Sequence, residues 1–191
     1  MVAMTEIRWH GRGGQGAVAS AEMFAIAAIE EGKSAQAFPS FGPERRGAPV
    51  MAFTRVSDEF IHLRTGITEP DVVVVLDPTV MSAVDVTAGL KDGGIVVANT
   101  SKGGEELAKE FNITARLATV NAGRIAHEEI GRPITNTTMM GALVKVTGLV
   151  ELDSLAEQIE KRFPGVAEKN IKAMRRAYEE TEVQGEAGGR G

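Results

Sequence analysis

The chain contains no cysteine among its 191 residues. Disulfides, thiolate nucleophiles, cysteine-ligated zinc and conventional iron–sulfur clusters are therefore excluded from it, and any electron-carrying cluster that its biology needs lies on another chain. Aromatic residues are scarce at 5%, with one tryptophan and one tyrosine. Basic charge is also limited: 21 Lys and Arg against 26 Asp and Glu leave a formal net charge of -5. Without a dense Lys/Arg stripe, a general polyanion binder is excluded and nucleic acid is not an expected partner. No apolar run approaches the roughly 18 residues of a membrane span, and the opening MVAMTEIRW is too short and polar for a signal peptide. The expectation is a cytoplasmic protein with no membrane partner.

What is present, 43% hydrophobic and 25% charged residues, suits one ordinary globular domain with a real core. Residues 7–9 open a short strand, and the apolar AVASAEMFAIAAIEEG reads as a buried helix with Gly32 as its C-terminal glycine. KSAQAF reads as a second strand, and FPSFGPERRGAP, broken by Pro39, Pro43 and Pro49, as a loop. PVMAFTRV and EFIHLRT read as two strands of a hairpin turning around Ser57 and Asp58. DVVVVLD, residues 71–77, has no polar alternation, so both faces are covered, as in a parallel sheet between helices. GGIVVANT and TARLATV add further strands. From Gly141 onward the pattern is helical, with Leu152, Leu155, Ile159 and Phe163 on one face and Ile171, Met174 and Tyr178 on another. The expected architecture is a single doubly wound, Rossmann-like α/β domain: a mostly parallel sheet with a hairpin and a helical C-terminal part, over residues 1–183, then a glycine-rich flexible tail, 184–191.

The chemistry concentrates in HGRGGQG, residues 10–16. Gly11, Gly13 and Gly16 fit G-x-G-x-x-G between a strand and a helix, the setting in which bare backbone N–H groups and a helix N-terminus attract a phosphate. A dinucleotide site also needs a carboxylate about 20 residues on, at the end of the second strand. Here that strand ends in Phe38 and Pro39. Arg45 or Arg46 reading a ribose 2′-phosphate is the remaining route to an NAD(P)-binding oxidoreductase. A Walker loop is excluded, because Ala17 and Val18 stand where Lys and Ser or Thr are required. The glycines alternatively serve only close packing of helix on strand.

The combination of IRWHGRGGQG, AFPSFGPERRGAPV some 20 residues later and NTTMMGAL at 136–143 resembles the gamma subunit of the 2-oxoacid:ferredoxin oxidoreductases, the pyruvate-oxidising type most of all, from about Glu6 to about Glu180. The resemblance implies a subunit of an enzyme that converts a 2-oxoacid, coenzyme A and oxidised ferredoxin to acyl-CoA, carbon dioxide and reduced ferredoxin. It implies alpha, beta and delta partners carrying thiamine diphosphate, magnesium and the iron–sulfur clusters, with no cofactor bound by this chain alone, no catalytic residue and no metal site. The lack of cysteine and of a Gly-Asp-Gly motif agrees.

Two surfaces are candidates for this chain's share. Gly11, Arg12, Gly13, Gly14, Gln15 and Gly16 meet either an anionic part of coenzyme A or another subunit, with Arg12 and Gln15 as the outward hydrogen-bonding side chains. Phe38, Phe41, Glu44, Arg45 and Arg46 have the aromatic-plus-arginine composition of an interface hot spot, or else form an internal ion pair. His10, His62 and His127 lack metal-ligand spacing, and only His10 is a candidate proton donor. Asp77 reads as a helix cap or a ligand contact at a strand's C-terminal end, and Met139 and Met140 as core or an adaptable contact surface.

Overall fold

The structure, a computed structural model, describes residues 4–40, 46–63 and 65–185. The chain runs β1 (Met4–Arg12), α1 (Ala17–Glu30), β2 (Ser34–Pro39), β3 (Pro49–Ser57), β4 (Val72–Val75), a 3-10 turn (Pro78–Ser82), β5 (Ile95–Asn99), α2 (Gly104–Phe111) and β6 (Arg116–Val120). It continues through α3 (Ala122–Ile130), α4 (Asn136–Thr147), α5 (Leu152–Arg162) and α6 (Ala167–Glu180) to β7 (Glu182–Gln184). One sheet holds all seven strands in the order β2-β3-β1-β4-β5-β6-β7. β1, β4, β5 and β6 pair in parallel, and β3 and β7 run against them. The doubly wound α/β expectation is borne out.

Valines at alternate positions of β4 explain why the sheet carries two cores. Val72 and Val74 join Ile7, Trp9, Ile95 and Val97 against α1, α4, α5 and α6, whereas Val73 and Val75 join Val96, Ala98 and Leu117 against the 3-10 turn and α2. Each strand therefore buries both faces, which is what an unbroken apolar run encodes. Trp9 anchors the larger core: its Nε1 donates to Thr54 Oγ1 at 3.0 Å and its ring meets Phe24 edge-on at 6.1 Å. α1 ends as its sequence predicts, with Gly32 at φ 85° and Lys33 N donating to Ala28 O, which satisfies the last carbonyls.

The hairpin is a correction. β3 pairs antiparallel with β2, Phe38 opposite Phe53, and with β1 on its other side. Both edges of β3 are then occupied, so EFIHLRT has no ladder to join, and residues 59–63 of it run as an irregular segment. The hairpin connection is the stretch between Pro39 and Pro49, within which Phe41, Glu44 and Arg45 lie outside the described residues. β7, which includes Gln184, closes the far edge against β6, and 186–191 lie outside the described residues. The helices α2 and α3 escaped the sequence reading, because α2 is eight residues long and α3 nine, each with few apolar positions.

Gly141 sets the closest approach between α4 and α6. A Cβ there would collide with the carbonyl oxygen of Met174, a backbone atom. Overpacking of this kind costs about 1–3 kcal/mol when the neighbour is a side chain and more when it is backbone. Gly141→Ala should lower the unfolding free energy by at least that amount, read from denaturant titration by circular dichroism; an unchanged value would show that the two helices separate freely.

Candidate functional site

β1 and β4 are neighbouring parallel strands whose connections leave on opposite sides, β1 through α1 toward β2 and β4 through the 3-10 turn toward β5. The crevice at their C-terminal ends is therefore the topological switch point, where open α/β sheets bind ligands. The glycine run lies on this rim. Its first half is strand: Gly11 pairs with Val50 and Arg12 with Pro49, and Gly13 N donates to Ala48 O while Gly47 N donates to Gly13 O. Gly14 and Gly16 then take φ 92° and 83°, left-handed values that turn the chain into α1.

Gln15 bridges the crevice. Its Oε1 accepts from Arg12 N at 2.7 Å and its Nε2 donates to Asp77 Oδ2 at 2.6 Å, so one amide ties the end of β1 to the end of β4. Asp77 also caps the 3-10 turn, accepting from Thr79 N at 2.9 Å. Burial alone would raise the Asp77 pKa, but the hydrogen bonds from Thr79 and Gln15 and the nearby Arg12 leave it below the ordinary carboxylate value. Arg12 donates to Thr79 Oγ1, Thr79 O and Gly47 O. Arg12 and Gln15, expected to reach outward, are thus engaged within the chain. What α1 leaves open is backbone: its N-cap, Gly16, has no side-chain hydrogen bond, and Ser20 N is the first to bond within the helix.

The third motif meets the first here. Asn136, the first residue of α4, is buried, with its side chain so close that a Cβ on Gly16 would lie 2.7 Å from Nδ2. Asn136 Oδ1 is buried without a hydrogen-bond partner. Asn99 Nδ2 and Thr135 Oγ1 both donate to Leu76 O, binding the ends of β5 and α4 to β4. Asn136 entered the sequence analysis only as the first residue of NTTMMGAL, where an asparagine at a helix start reads equally as a cap, and nothing in the pattern marked Asn99 at the end of β5. Met139 and Met140 are fully buried, the core alternative for them.

The second motif divides. Arg46 is exposed and its backbone bridges to Gly13, beside the crevice. Phe38 lies instead on the face of the sheet, 5.3 Å from the ring of Phe53 and 5.4 Å below the guanidinium of Arg55. β3 also separates β2 from β1. The end of β2 is thus two strand spacings, about 10 Å, from the crevice, too far for a residue there to hold the ribose of a dinucleotide seated on the glycine run. Among the described residues no group of three or more His, Cys, Asp or Glu is placed to hold a metal ion, and no helix is long and apolar enough to cross a membrane.

The family model for pyruvate ferredoxin/flavodoxin oxidoreductase matches residues 6–180. The chain belongs to that family. It is 57% identical over 182 residues to the pyruvate/ketoisovalerate oxidoreductases common subunit gamma of Pyrococcus furiosus, covering 94% of this chain and 98% of the relative. The solved pyruvate oxidoreductase subunit PORC of Thermotoga maritima superposes with a TM-score of 0.85 at 45% identity, covering 95% of this chain and 98% of that one. A 2-oxoglutarate:ferredoxin oxidoreductase from Magnetococcus marinus, solved with 2-oxoglutarate, coenzyme A and succinyl-CoA bound, shares the fold at TM-score 0.73 and 21% identity; the match covers 91% of this chain and 30% of that longer one. The resemblance of the three motifs to gamma subunits is borne out.

In this member of the oxidoreductase family His10 is not a proton donor at neutral pH. It is 3% exposed on β1 and accepts from Arg8 Nε at 3.0 Å through Nε2, so its proton sits on Nδ1, which is buried without a partner. Burial first, and then the Arg8 charge, push its pKa down to about 4, against a smaller opposing pull from Asp85. The unfolded chain, near 6.5, binds the proton first. His10 therefore gives full stability above pH ~6.5 and withdraws it as pH falls toward ~4, by on the order of 3 kcal/mol in all. His10→Gln keeps an acceptor for Arg8 and does not titrate. Its denaturation free energy should fall less between pH 7 and pH 4 than that of the native chain; parallel curves would overturn this assignment.

Proposed function

We propose that the chain is the gamma subunit of a multi-subunit oxidoreductase that decarboxylates pyruvate or a related 2-oxoacid, transfers the acyl group to coenzyme A and passes electrons to ferredoxin. The observation that carries this reading is the convergence of the three resembling segments. Gly13 bridges to Arg46 and Gly16 packs on Asn136, so residues from all three meet on the rim of one crevice. The alpha, beta and delta subunits supply thiamine diphosphate, magnesium and the iron–sulfur clusters, and this chain binds none of them by itself. The complex works in the cytoplasm.

Its contribution is assembly and the shaping of the coenzyme A side. Arg12 and Gln15 hold the glycine turn from within, and the unbonded N–H groups at the start of α1, with the positive end of the helix dipole, face an anion such as the diphosphate of coenzyme A. The exposed Arg46, with Phe41, Glu44 and Arg45 of the hairpin connection, forms the contact with a neighbouring subunit. The Magnetococcus marinus enzyme supports the coenzyme A side, because it was solved with that cosubstrate and holds this fold as a part of its chain.

The test is purification of the tagged chain with its native partners from anaerobic cells. Arg12→Ala with Gln15→Ala should raise KM for coenzyme A about tenfold, some 1.4 kcal/mol, with kcat and KM for the 2-oxoacid unchanged. Arg45→Ala with Arg46→Ala should lower recovery of the other subunits. An unchanged KM in an intact complex removes the coenzyme A contact, and full recovery removes the assembly contact. A chain that comes down alone and colourless removes the whole reading.

A further inference from the structure

The sheet's two faces are not covered alike. α1 lies over β2 and β3 on one face, and the 3-10 turn and α2 cover β4 to β6 on the other. Among the described residues, the remaining quarter, the outer face of β3 and β2, is crossed only by those that follow β3, held by Gln36 Nε2 to Ile61 O and Arg55 Nη2 to Gly66 O. Between that segment and the strands is a cleft of about 600 Å³, lined by Phe38, Phe53, Leu63 and Ile67 with Arg55 as its cation.

Arg55 is 1% exposed and incompletely paired. Its Nε donates to Glu6 at 2.8 Å, Nη2 reaches Gly66 O at 3.3 Å, and Nη1 is buried without a partner. The other oxygen of Glu6 faces Lys91 at 3.6 Å. A buried guanidinium N–H lacking an acceptor is unfavourable until one arrives. The cleft therefore suits a group with an apolar body and an oxygen acceptor. Around it the apolar surface continues: Leu63 is 45% exposed, Phe60 on the same segment 76%, and Met51, two residues from Phe53 on the same strand face, 37%. That spread exceeds what a small ligand covers and marks a protein contact. β2 is also the edge strand of the sheet, open to an added extended segment.

We propose that this cleft receives an extended segment of another subunit of the same oxidoreductase, an apolar side chain filling the space among Phe38, Phe53 and Leu63 and an adjacent carboxylate accepting from Arg55 Nη1 once the buried guanidinium turns toward the cleft. This contact is separate from the hairpin connection and rests on the gamma-subunit reading only in requiring partner subunits. The experiment places a photoreactive benzophenone amino acid at Leu63 of the tagged full chain, purifies the native complex, irradiates it and maps the cross-links by mass spectrometry. The expected product joins Leu63's position to a peptide of another subunit in which Asp or Glu neighbours an apolar residue. In parallel, Leu63→Asp, on an exposed side chain, should weaken association with the other subunits at least tenfold while leaving the thermal midpoint of the isolated chain unchanged. Arg55→Met should act in the same direction, but its Glu6 pair makes Leu63→Asp the deciding variant.

Cross-links confined to this chain in an intact complex, undiminished association of Leu63→Asp, or a small carboxylate found in the cleft by native mass spectrometry would each overturn the proposal. If Arg45→Ala with Arg46→Ala loosens the complex and Leu63→Asp does not, the hairpin contact stands and the cleft contact falls. If the unaltered chain recovers no partner at all, the gamma-subunit reading has failed, and the cleft proposal falls with it.

Discussion

The carboxamide of Gln15 occupies the one place in this fold where the sheet opens. Strands of opposite winding part at the switch point, and the gap they leave must be filled by a ligand, by water or by the protein. Here an amide that accepts from Arg12 N and donates to Asp77 bridges it, and the rest of the rim follows from that choice. Asp77 is held ionised to start the 3-10 turn, Arg12 folds back over Thr79 and Gly47, and the glycines let the backbone turn over the plug. Left-handed φ at Gly14 and Gly16 is the geometric condition for this arrangement, and Gly16 must also lack a Cβ because Asn136 lies against it.

A crevice bridged by the chain's own side chains changes what a glycine-rich strand-to-helix turn means. In a dinucleotide-binding domain the second strand lies beside the first and brings a carboxylate to the ribose. In this chain the antiparallel β3 is inserted between them, and the glycine run is stitched to it through Gly13, Gly47 and Ala48. The turn is a joint among three segments before it is a ligand cradle. Such a joint suits one subunit of a larger oxidoreductase, since what it offers outward is a fixed rim and a few backbone donors.

Much of this was legible in residues whose pattern has one reading. The continuous valines of β4 demand burial on both faces, the strand–glycine–helix order locates the rim, and Asp77 before Pro78 marks a helix start. The alternation in EFIHLRT misled because local propensity does not record whether a neighbouring strand has a free edge, and β3 had none. Gln15 and Arg12 were seen as outward-facing because residues 62 to 67 positions away in sequence, Asp77 and Thr79, had no visible claim on them. The buried arginines were hidden for a related reason. Arg8 and Arg55 sit in strands that read as apolar with polar alternation, and only the packing of the segment after β3 and the carbonyls of Val86 and Ala88 enclose them.

The most direct test of the bridged crevice is isothermal titration of the isolated chain with NADPH and with NADH. The account predicts heats no different from dilution up to millimolar dinucleotide, because β3 separates the end of β2 from the glycine run and no carboxylate there can reach the ribose. Binding in the micromolar range, lost in a Gly14→Val or Gly16→Val chain that remains folded, would show that the crevice opens to a dinucleotide and would contradict it.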